Sequence, residues 1–327
     1  MKSTSRDSGM ANETKVGVVT VTYNSAGVID GFLRSILRQS HRHFVLFVID
    51  NASSDTTLRQ LATYGDTRIV VKAESRNLGL AAGNNQGIRA SLEQGCDAVL
   101  IINNDTEFEP ALLEKLIAGL EEHAGDMIVP KMYYFDPPDK IWCAGGQFNR
   151  MKGYLSVHYG ENQMDRGQYD RVREVEFAPM ACMMIRSNVF ARIGLIDEQY
   201  FLYFDDNDFC LRAKRAGLKL IYLPSATLRH KVSALAKNSP SVAHYMIARN
   251  HVYFIRKNLS LGARLVYLPA YQFRLVLKSL FRILDWKEFA QREKGFLCGL
   301  RIAVSRAGVE VAGGAEGRTA VAKAGKP

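Results

Sequence analysis

Three groups of polar residues in this chain have the types and spacing for chemistry. The segment LYFDDNDFCLRAKRAG sets Asp205, Asp206 and Asp208 together at the start of a helical pattern. Acidic residues there complement the helix dipole, a structural role that suits Asp208. Three clustered carboxylates exceed what capping requires. Like charges held together raise one another's proton affinity, so Asp205 or Asp206 can act as a general base. Asn103-Asn104-Asp105 closes an apolar run; it offers hard oxygen ligands to Mg2+ or Mn2+, and it also suits a turn or a helix cap. His230, in TLRHKVS, reads by itself as a surface or satisfied core histidine. Taken with Asp105 and the carboxylate cluster, it completes the parts that a metal-assisted displacement on a sugar diphosphate needs.

These residues must be carried on elements that bring them together. Val16 to Tyr23 (VGVVTVTY) is β-branched and apolar, as a fully buried parallel strand is. Val28, Ile29, Phe32, Leu33, Ile36 and Leu37 then recur at helical spacing, with Asn24 or Ser25 as the expected cap. A second buried strand, Phe44 to Asp50, completes a β-α-β unit. Helices at 56–64 and 81–94 alternate with strands at 69–72 and 98–103. Such alternation predicts a doubly wound α/β sheet with ligands at the carboxyl ends of its strands. The polar clusters Thr22-Tyr23-Asn24, Asp50-Asn51 and Asn103-Asn104-Asp105 fall at those ends. Residues 131–180, rich in Gly, Tyr and charge, read as mixed strand and loop; short helices return at 188–194 and 206–217, before a strand at 218–223.

The composition excludes other classes. In 327 residues, 47% are hydrophobic and 23% charged, so the chain is globular rather than collagenous or disordered throughout. Five cysteines without a CxxC pair disfavour a disulfide framework or a structural zinc, and fit a reducing cytosol. No apolar run approaches the roughly 18–20 residues of a membrane span, and Met1 to Lys15 lacks the apolar core of a signal peptide. After the first strand, VTYNSAGVID has a single glycine where a dinucleotide site shows GxGxxG, which argues against a nicotinamide dehydrogenase.

Taken in order, VTYNS, VIDNASSDTT, RNLGLAAGNNQGI, INNDTEFEP, ACMMIRS, YFDDNDFCLRAKRAG and RHKVS resemble the inverting, GT-A-fold glycosyltransferases of family 2, particularly the bacterial rhamnosyltransferase-like branch. The resemblance spans about Val16 to Lys257. It implies that Thr22, Tyr23, Asn24, Asp50 and Asn51 hold the base and ribose of a nucleotide, and that Arg76, Asn77, Gly79, Gly83 and Asn84 lie beside the nucleotide and diphosphate. Asn103-Asn104-Asp105 stands where the family has a DxD metal motif. Asn103 replaces its first aspartate, leaving Asp105 as the main carboxylate ligand, with His230 completing the site for Mg2+ or Mn2+. Asp206 matches the catalytic base, and Asp205 orients it or the acceptor. Trp142, Gly145 and Gly146 resemble an acceptor-side loop, and Arg249 with Asn250 would approach the diphosphate or sit on a solvated helix face. The expected donor is dTDP-rhamnose, or otherwise a UDP- or GDP-sugar. The expected acceptor is a glycan or a lipid-linked saccharide.

The domain reading is a disordered N-terminus (1–15), a GT-A domain (16–257), a helical basic tail (258–306) and a disordered end (307–327). From Lys257 onward there are 13 Lys and Arg against 5 Asp and Glu, so +8 of the net +10 lies in the last fifth. A near-neutral body with a basic apolar tail favours an anionic membrane surface over nucleic acid. In QFRLVLKSLFRIL, Arg274, Lys278 and Arg282 form a basic stripe beside Phe273, Leu277, Leu280, Phe281 and Leu284. Such a tail suits the inner face of the cytoplasmic membrane, the catalytic domain itself or a second subunit of a homo-oligomer.

Overall fold

The computed structural model describes residues 14–232 and 240–304; the two segments expected to be disordered lie almost wholly outside them. The sheet is seeded by β1 (Val16–Thr22), buried along nearly its whole length because it runs between two parallel neighbours. One is β2 (Phe44–Asp50), paired Val16 to Phe44 through Thr22 to Asp50; the other is β4 (Ala98–Ile102), paired Val16 to Ala98. Outside β2 lies β3 (Ile69–Ala73), also parallel. Its exposed outer face is what allows Lys72 in an otherwise apolar strand.

Beyond β4 the sheet becomes mixed. The strand β11 (Cys182–Arg186) runs antiparallel between β4 and β6 (Met127–Tyr134), and β12 (Leu220–His230) is parallel to β6. At the far edge, β10 (Arg173–Val175) pairs with β12. Two short strands attach to this path, β5 (Thr106–Phe108) on β12 and β7 (Ile141–Cys143) on β6. A separate hairpin, β8 (Gly146–Asn149) with β9 (Leu155–His158), supplies the rest of the expected mixed region. The expected strand at 218–223 is the first half of β12, which continues past an irregularity between Leu223 and Thr227 to reach His230.

Helices cover both faces. The stripe Ile29, Phe32, Leu33 and Ile36 buries α1 (Ile29–Leu37) on the sheet, each such side chain contributing about 1.5–3 kcal/mol. Neither Asn24 nor Ser25 caps it by a side chain. The Ser25 carbonyl instead accepts from Val28 and Ile29, while its hydroxyl accepts from the Tyr23 amide at 3.1 Å. After α2 (Thr57–Ala62), α3 (Leu80–Glu93) lies close against β1 because Gly83 and Gly87 have no side chains. A Cβ at these positions would stand 2.8 Å from Val21 and 2.3 Å from Val19. The helices α4 (Leu112–Glu122), α5 (Ser187–Ile193) and α6 (Asp205–Arg215) follow.

Three C-terminal helices, α7 (Pro240–Asn258), α8 (Leu261–Leu280) and α9 (Trp286–Arg301), pack on one another. Within the expected helical tail, α8 and α9 are separate helices. Arg282 sits in the intervening turn at φ 55°, off the stripe of Arg274 and Lys278. Among the described residues no helix is long and apolar enough to cross a membrane. All five cysteines are unpaired.

Candidate active site

The pairing of β5 with β12 sets His230 opposite Thr106, and so beside Asp105 in the turn that leaves β4. Asp105 O accepts from Lys231 N at 2.9 Å, which closes the juxtaposition. His230 is buried, and its Nε2 lies 2.9 Å from Asp105 Oδ1. Yet among the described residues neither ring nitrogen of His230, nor that carboxylate oxygen, has an aligned hydrogen bond. Proximity without alignment is how two ligands that converge on a third atom stand, and orphaned buried polar atoms are costly unless something else partners them. A carboxylate oxygen and an imidazole nitrogen fit Mn2+ or Mg2+. Among the described residues no third His, Cys, Asp or Glu joins them, so a cation here would take its other ligands from solvent or substrate.

The other two members of the triplet have structural duties. Asn104 donates to Val21 O at 2.5 Å and to Ser25 Oγ at 3.1 Å, tying the end of β4 to that of β1. Asn103 O accepts from Thr106 Oγ1 at 2.7 Å, the turn role open from its sequence.

Asp205 and Asp206 begin α6. Asp205 is buried and Asp206 half-buried, its Oδ1 accepting from Asn207 N at 2.8 Å. Burial first, and then the charge of Asp205, push the Asp206 carboxyl up to about 8; burial likewise raises Asp205. The pair therefore holds a proton more tightly than exposed aspartates do. The field of Asp206 reaches the buried Cys143 thiol in β7, next to Trp142. Trp142 in turn meets His230 edge-on at 4.4 Å between ring centroids.

Asp208 differs. Burial alone would raise its pKa, but Arg212 and Lys257 hold it below the usual range. Its carboxylate accepts from Arg212 Nε at 2.8 Å, Lys257 Nζ at 2.9 Å and Asn258 Nδ2 at 2.8 Å. This is a structural tie between α6 and α7.

On the nucleotide side, Asp50 is fully buried. Thr22 Oγ1 and Ser53 Oγ donate to its Oδ1 at 2.7 and 2.6 Å, and Ser53 N to its Oδ2 at 2.9 Å. Asn24, at φ 51°, accepts from Ser54 N at 2.8 Å, and Asn51 donates to Gly79 O at 3.0 Å. Tyr23, Arg76 and Asn77 are exposed, and Asn84 is buried in α3. The structure thus gathers Thr22, Tyr23, Asn24, Asp50 and Asn51 at the ends of β1 and β2. The two glycines have packing roles: Gly83 admits β1, and a Cβ on Gly79 would stand 2.5 Å from the Phe201 ring.

The acceptor-side residues are placed differently from expectation. Trp142 is half-buried and makes T-shaped contacts with His230 and His158, which ties it into the packing around the candidate metal ligands. Gly145 and Gly146 are packing positions, whose Cβ atoms would meet Val175 at 2.7 Å and Val157 O at 2.4 Å. Arg249 donates to Gln199 O at 2.8 Å, and Asn250 to loop carbonyls, so neither is directed at a diphosphate. Sequence reasoning passed over Ser53, although an Asp followed three residues later by Ser signals an Asx-type turn. It also passed over Ser156, which lies against the start of α6. In the amide orientation that satisfies both neighbours, Asn207 donates to Asp206 Oδ1 at 3.1 Å and accepts from Ser156 N at 3.3 Å. No local signal marks that contact, which only the fold creates.

Residues 17–194, more than half of the chain, match the family described as Glycosyl transferase family 2. A low-salt glycan biosynthesis hexosyltransferase of Haloferax volcanii is 28% identical over 53% of this chain and 55% of its own length. An N-acetylglucosaminyl-diphospho-decaprenol L-rhamnosyltransferase of Mycobacterium tuberculosis is 26% identical over 70% of this chain and 80% of its own. A dTDP-rhamnosyl transferase of Shigella flexneri is 23% identical, covering 75% and 81%. Among solved structures, Staphylococcus aureus TarS 1–349 has TM-score 0.56 at 17% identity, covering 88% of this chain and 81% of that one. A mannosyltransferase of Pyrobaculum calidifontis in complex with GDP-Man and Mn2+ has TM-score 0.54 at 14% identity, covering 89% and 88%. The fold they share is GT-A-like, here with α7–α9 packed beside it.

Proposed function

Because this chain belongs to glycosyl transferase family 2 and is a glycosyltransferase, we propose that it inverts the anomeric centre of a nucleotide-activated sugar, with Asp206 as base. The observation that carries this reading is the raised proton affinity of Asp206, half-buried beside Asp205. The Asp206 carboxylate takes the acceptor hydroxyl proton as that oxygen bonds to the anomeric carbon. The bond from that carbon to the diphosphate breaks on the opposite face, and nucleoside diphosphate leaves. Asp205, buried behind it, keeps Asp206 basic and oriented. Thr22, Tyr23, Asn24, Asp50 and Asn51 frame the base and ribose; Arg76 and Asn77, exposed at the mouth, lie beside the diphosphate. Asp105 and His230 would hold Mg2+ or Mn2+, which when bound neutralises charge on the departing diphosphate.

The favoured donor is dTDP-rhamnose and the favoured acceptor a lipid-linked saccharide, a reading supported by the names of two relatives matched over most of their length. A UDP- or GDP-hexose is the second reading, supported by the hexosyltransferase relative and the GDP-mannose structure. The tail would bring the enzyme to its acceptor at an anionic membrane surface. Phe273, Leu280, Phe281 and Trp286 are 64–74% exposed, with Arg274, Lys278, Arg282 and Lys287 exposed beside them. A symmetric pairing of two such faces would set like charges together, so a bilayer suits them better than a second copy.

Calorimetric titration with dTDP, UDP and GDP, each with and without Mn2+, tests the donor side. Metal-dependent preference for dTDP is expected; a preference for UDP or GDP redirects the donor, and no binding by folded protein rejects the reading.

A further inference from the structure

We propose that Asn250 is a positioning residue for the transfer step, holding the loop 200–204 in the backbone conformation that presents Asp205 and Asp206. The inference rests on Asp206 being the base. Asn250 is fully buried in α7, and its Nδ2 stands 2.8, 2.7 and 2.9 Å from the carbonyl oxygens of Tyr200, Leu202 and Tyr203. Its Oδ1 accepts from Arg249 Nη1 at 2.6 Å, and the same nitrogen donates to Gln199 O at 2.8 Å. One amide, with its neighbour, therefore holds four of the carbonyls in the segment 199–203.

The loop needs such a clamp. Phe201, Tyr203 and Phe204 have φ of 58°, 67° and 69°. Non-glycine residues there cost on the order of 1–3 kcal/mol each and persist only where surrounding structure imposes them. The strained turn ends at Asp205. It also reaches the donor side: Phe201 O accepts from Leu80 N at 2.6 Å, and the Phe201 ring covers Gly79. Gly79 O is in turn held by Asn51 at 3.0 Å. A single buried side chain thus sets the base and the nucleotide-side loop in register with each other.

The tail supports this clamp from behind. A Cβ on Gly295 would stand 2.3 Å from Tyr245 O, and one on Gly299 would stand 2.4 Å from Arg249 O. Those two glycines let α9 lie directly on the turn of α7 that carries Arg249 and Asn250. Arg256 Nη1 fastens the contact by donating to the Gly299 and Ile302 carbonyls, both at 2.8 Å.

The test uses the full chain with dTDP-rhamnose and an N-acetylglucosaminyl-diphospho-polyprenol, and compares Asn250→Ala, Asn250→Ala/Tyr203→Gly and Asp206→Asn. Asn250→Ala is expected to lower kcat about 10–100-fold, with donor KM and dTDP affinity changed by less than about threefold. It should also shift the pH midpoint of kcat and speed amide exchange at 201–206. Glycine occupies the left-handed region without strain, so Tyr203→Gly should recover several-fold of the lost kcat. Unchanged kcat and unchanged exchange would overturn the proposal, as would a loss confined to nucleotide affinity. If Asn250→Ala does not fold, Asn250→Ser is judged by the same criteria. Wild-type turnover by Asp206→Asn would instead reject the base assignment, while the exchange result would still report on the clamp.

Discussion

At the scale of single residues, two aspartates two positions apart in sequence have opposite fates. Asp208 is surrounded by Arg212, Lys257 and Asn258 and stays ionised; Asp206 has no cation beside it among the described residues and binds its proton up to about pH 8. Asp206→Asn should therefore lower kcat by about 10²–10⁴, the usual worth of a general base, while leaving dTDP binding intact by calorimetry. In the wild type, kcat/KM should rise as pH increases through about 8. The same shift acts on stability with a definite sign. Its folded pKa lies above the ordinary 3.8, so the contribution of the protonated form is full below 3.8 and lost as pH rises through about 8. Asp206→Asn should accordingly raise Tm more at pH 8.5 than at pH 4, as measured by calorimetric scans.

The candidate metal pair gives a separate expectation. Asp105→Ala or His230→Ala should abolish the Mn2+-dependence of nucleotide binding, measured by titration with and without the ion. Chelation of the wild type should reproduce that loss.

Among elements, the decisive connections lie where α6 and α7 meet. Asp208, Arg212, Lys257, Asp197 and Asn258 form a buried charged cluster, with Lys257 Nζ 2.7 Å from Asp197 Oδ2. Removing one member leaves buried charge unpaired, so Asp208→Ala should cost about 3–5 kcal/mol in denaturant unfolding. The short-range elements were readily legible: β2 and the core of α1 follow from β-branched runs and a four-residue apolar stripe. The reversal at β11 was not. An apolar strand such as Cys182–Arg186 reads alike in either direction, and its partners, β4 and β6, lie far upstream in the chain. The site was legible by residue type but not by contact. Trp142, Gly145 and Gly146 resemble an acceptor-side loop and Arg249 has the charge for a diphosphate, yet the contacts they make in the fold pack strands together and tie a loop.

For the whole molecule, the proposed site draws on both parts of the chain. The family match ends at residue 194, so Asp105 and the strand-end residues Thr22 and Asp50 lie within it, whereas Asp206, His230 and Asn250 are contributed by later segments. The outer face of α8 and the turn after it is a separate matter. Leu265→Glu/Phe273→Glu changes two residues that are 69% and 64% exposed, and should alter unfolding free energy by less than about 0.5 kcal/mol each. Co-sedimentation with phosphatidylserine vesicles should nevertheless fall at least several-fold. Unchanged sedimentation would reject the membrane reading and leave the chemistry untouched.

What the sequence determined by itself were the properties that local patterns encode. Continuous apolar runs and period-3.6 apolar spacing specify the alternating strands and helices. The positions of Thr22, Asp50 and Asp105 at strand ends follow from where those runs stop, and the charge of the tail follows from composition. Tertiary structure decided everything that depends on which distant residues share an environment. It brought His230 to Asp105 across β5 and β12, supplied cations to Asp208 and withheld them from Asp206, and turned Asn250 onto a strained loop some fifty residues away. Proton affinity, orphaned ligands and stored backbone strain are properties of surroundings, and a linear pattern names the residues without stating what surrounds them.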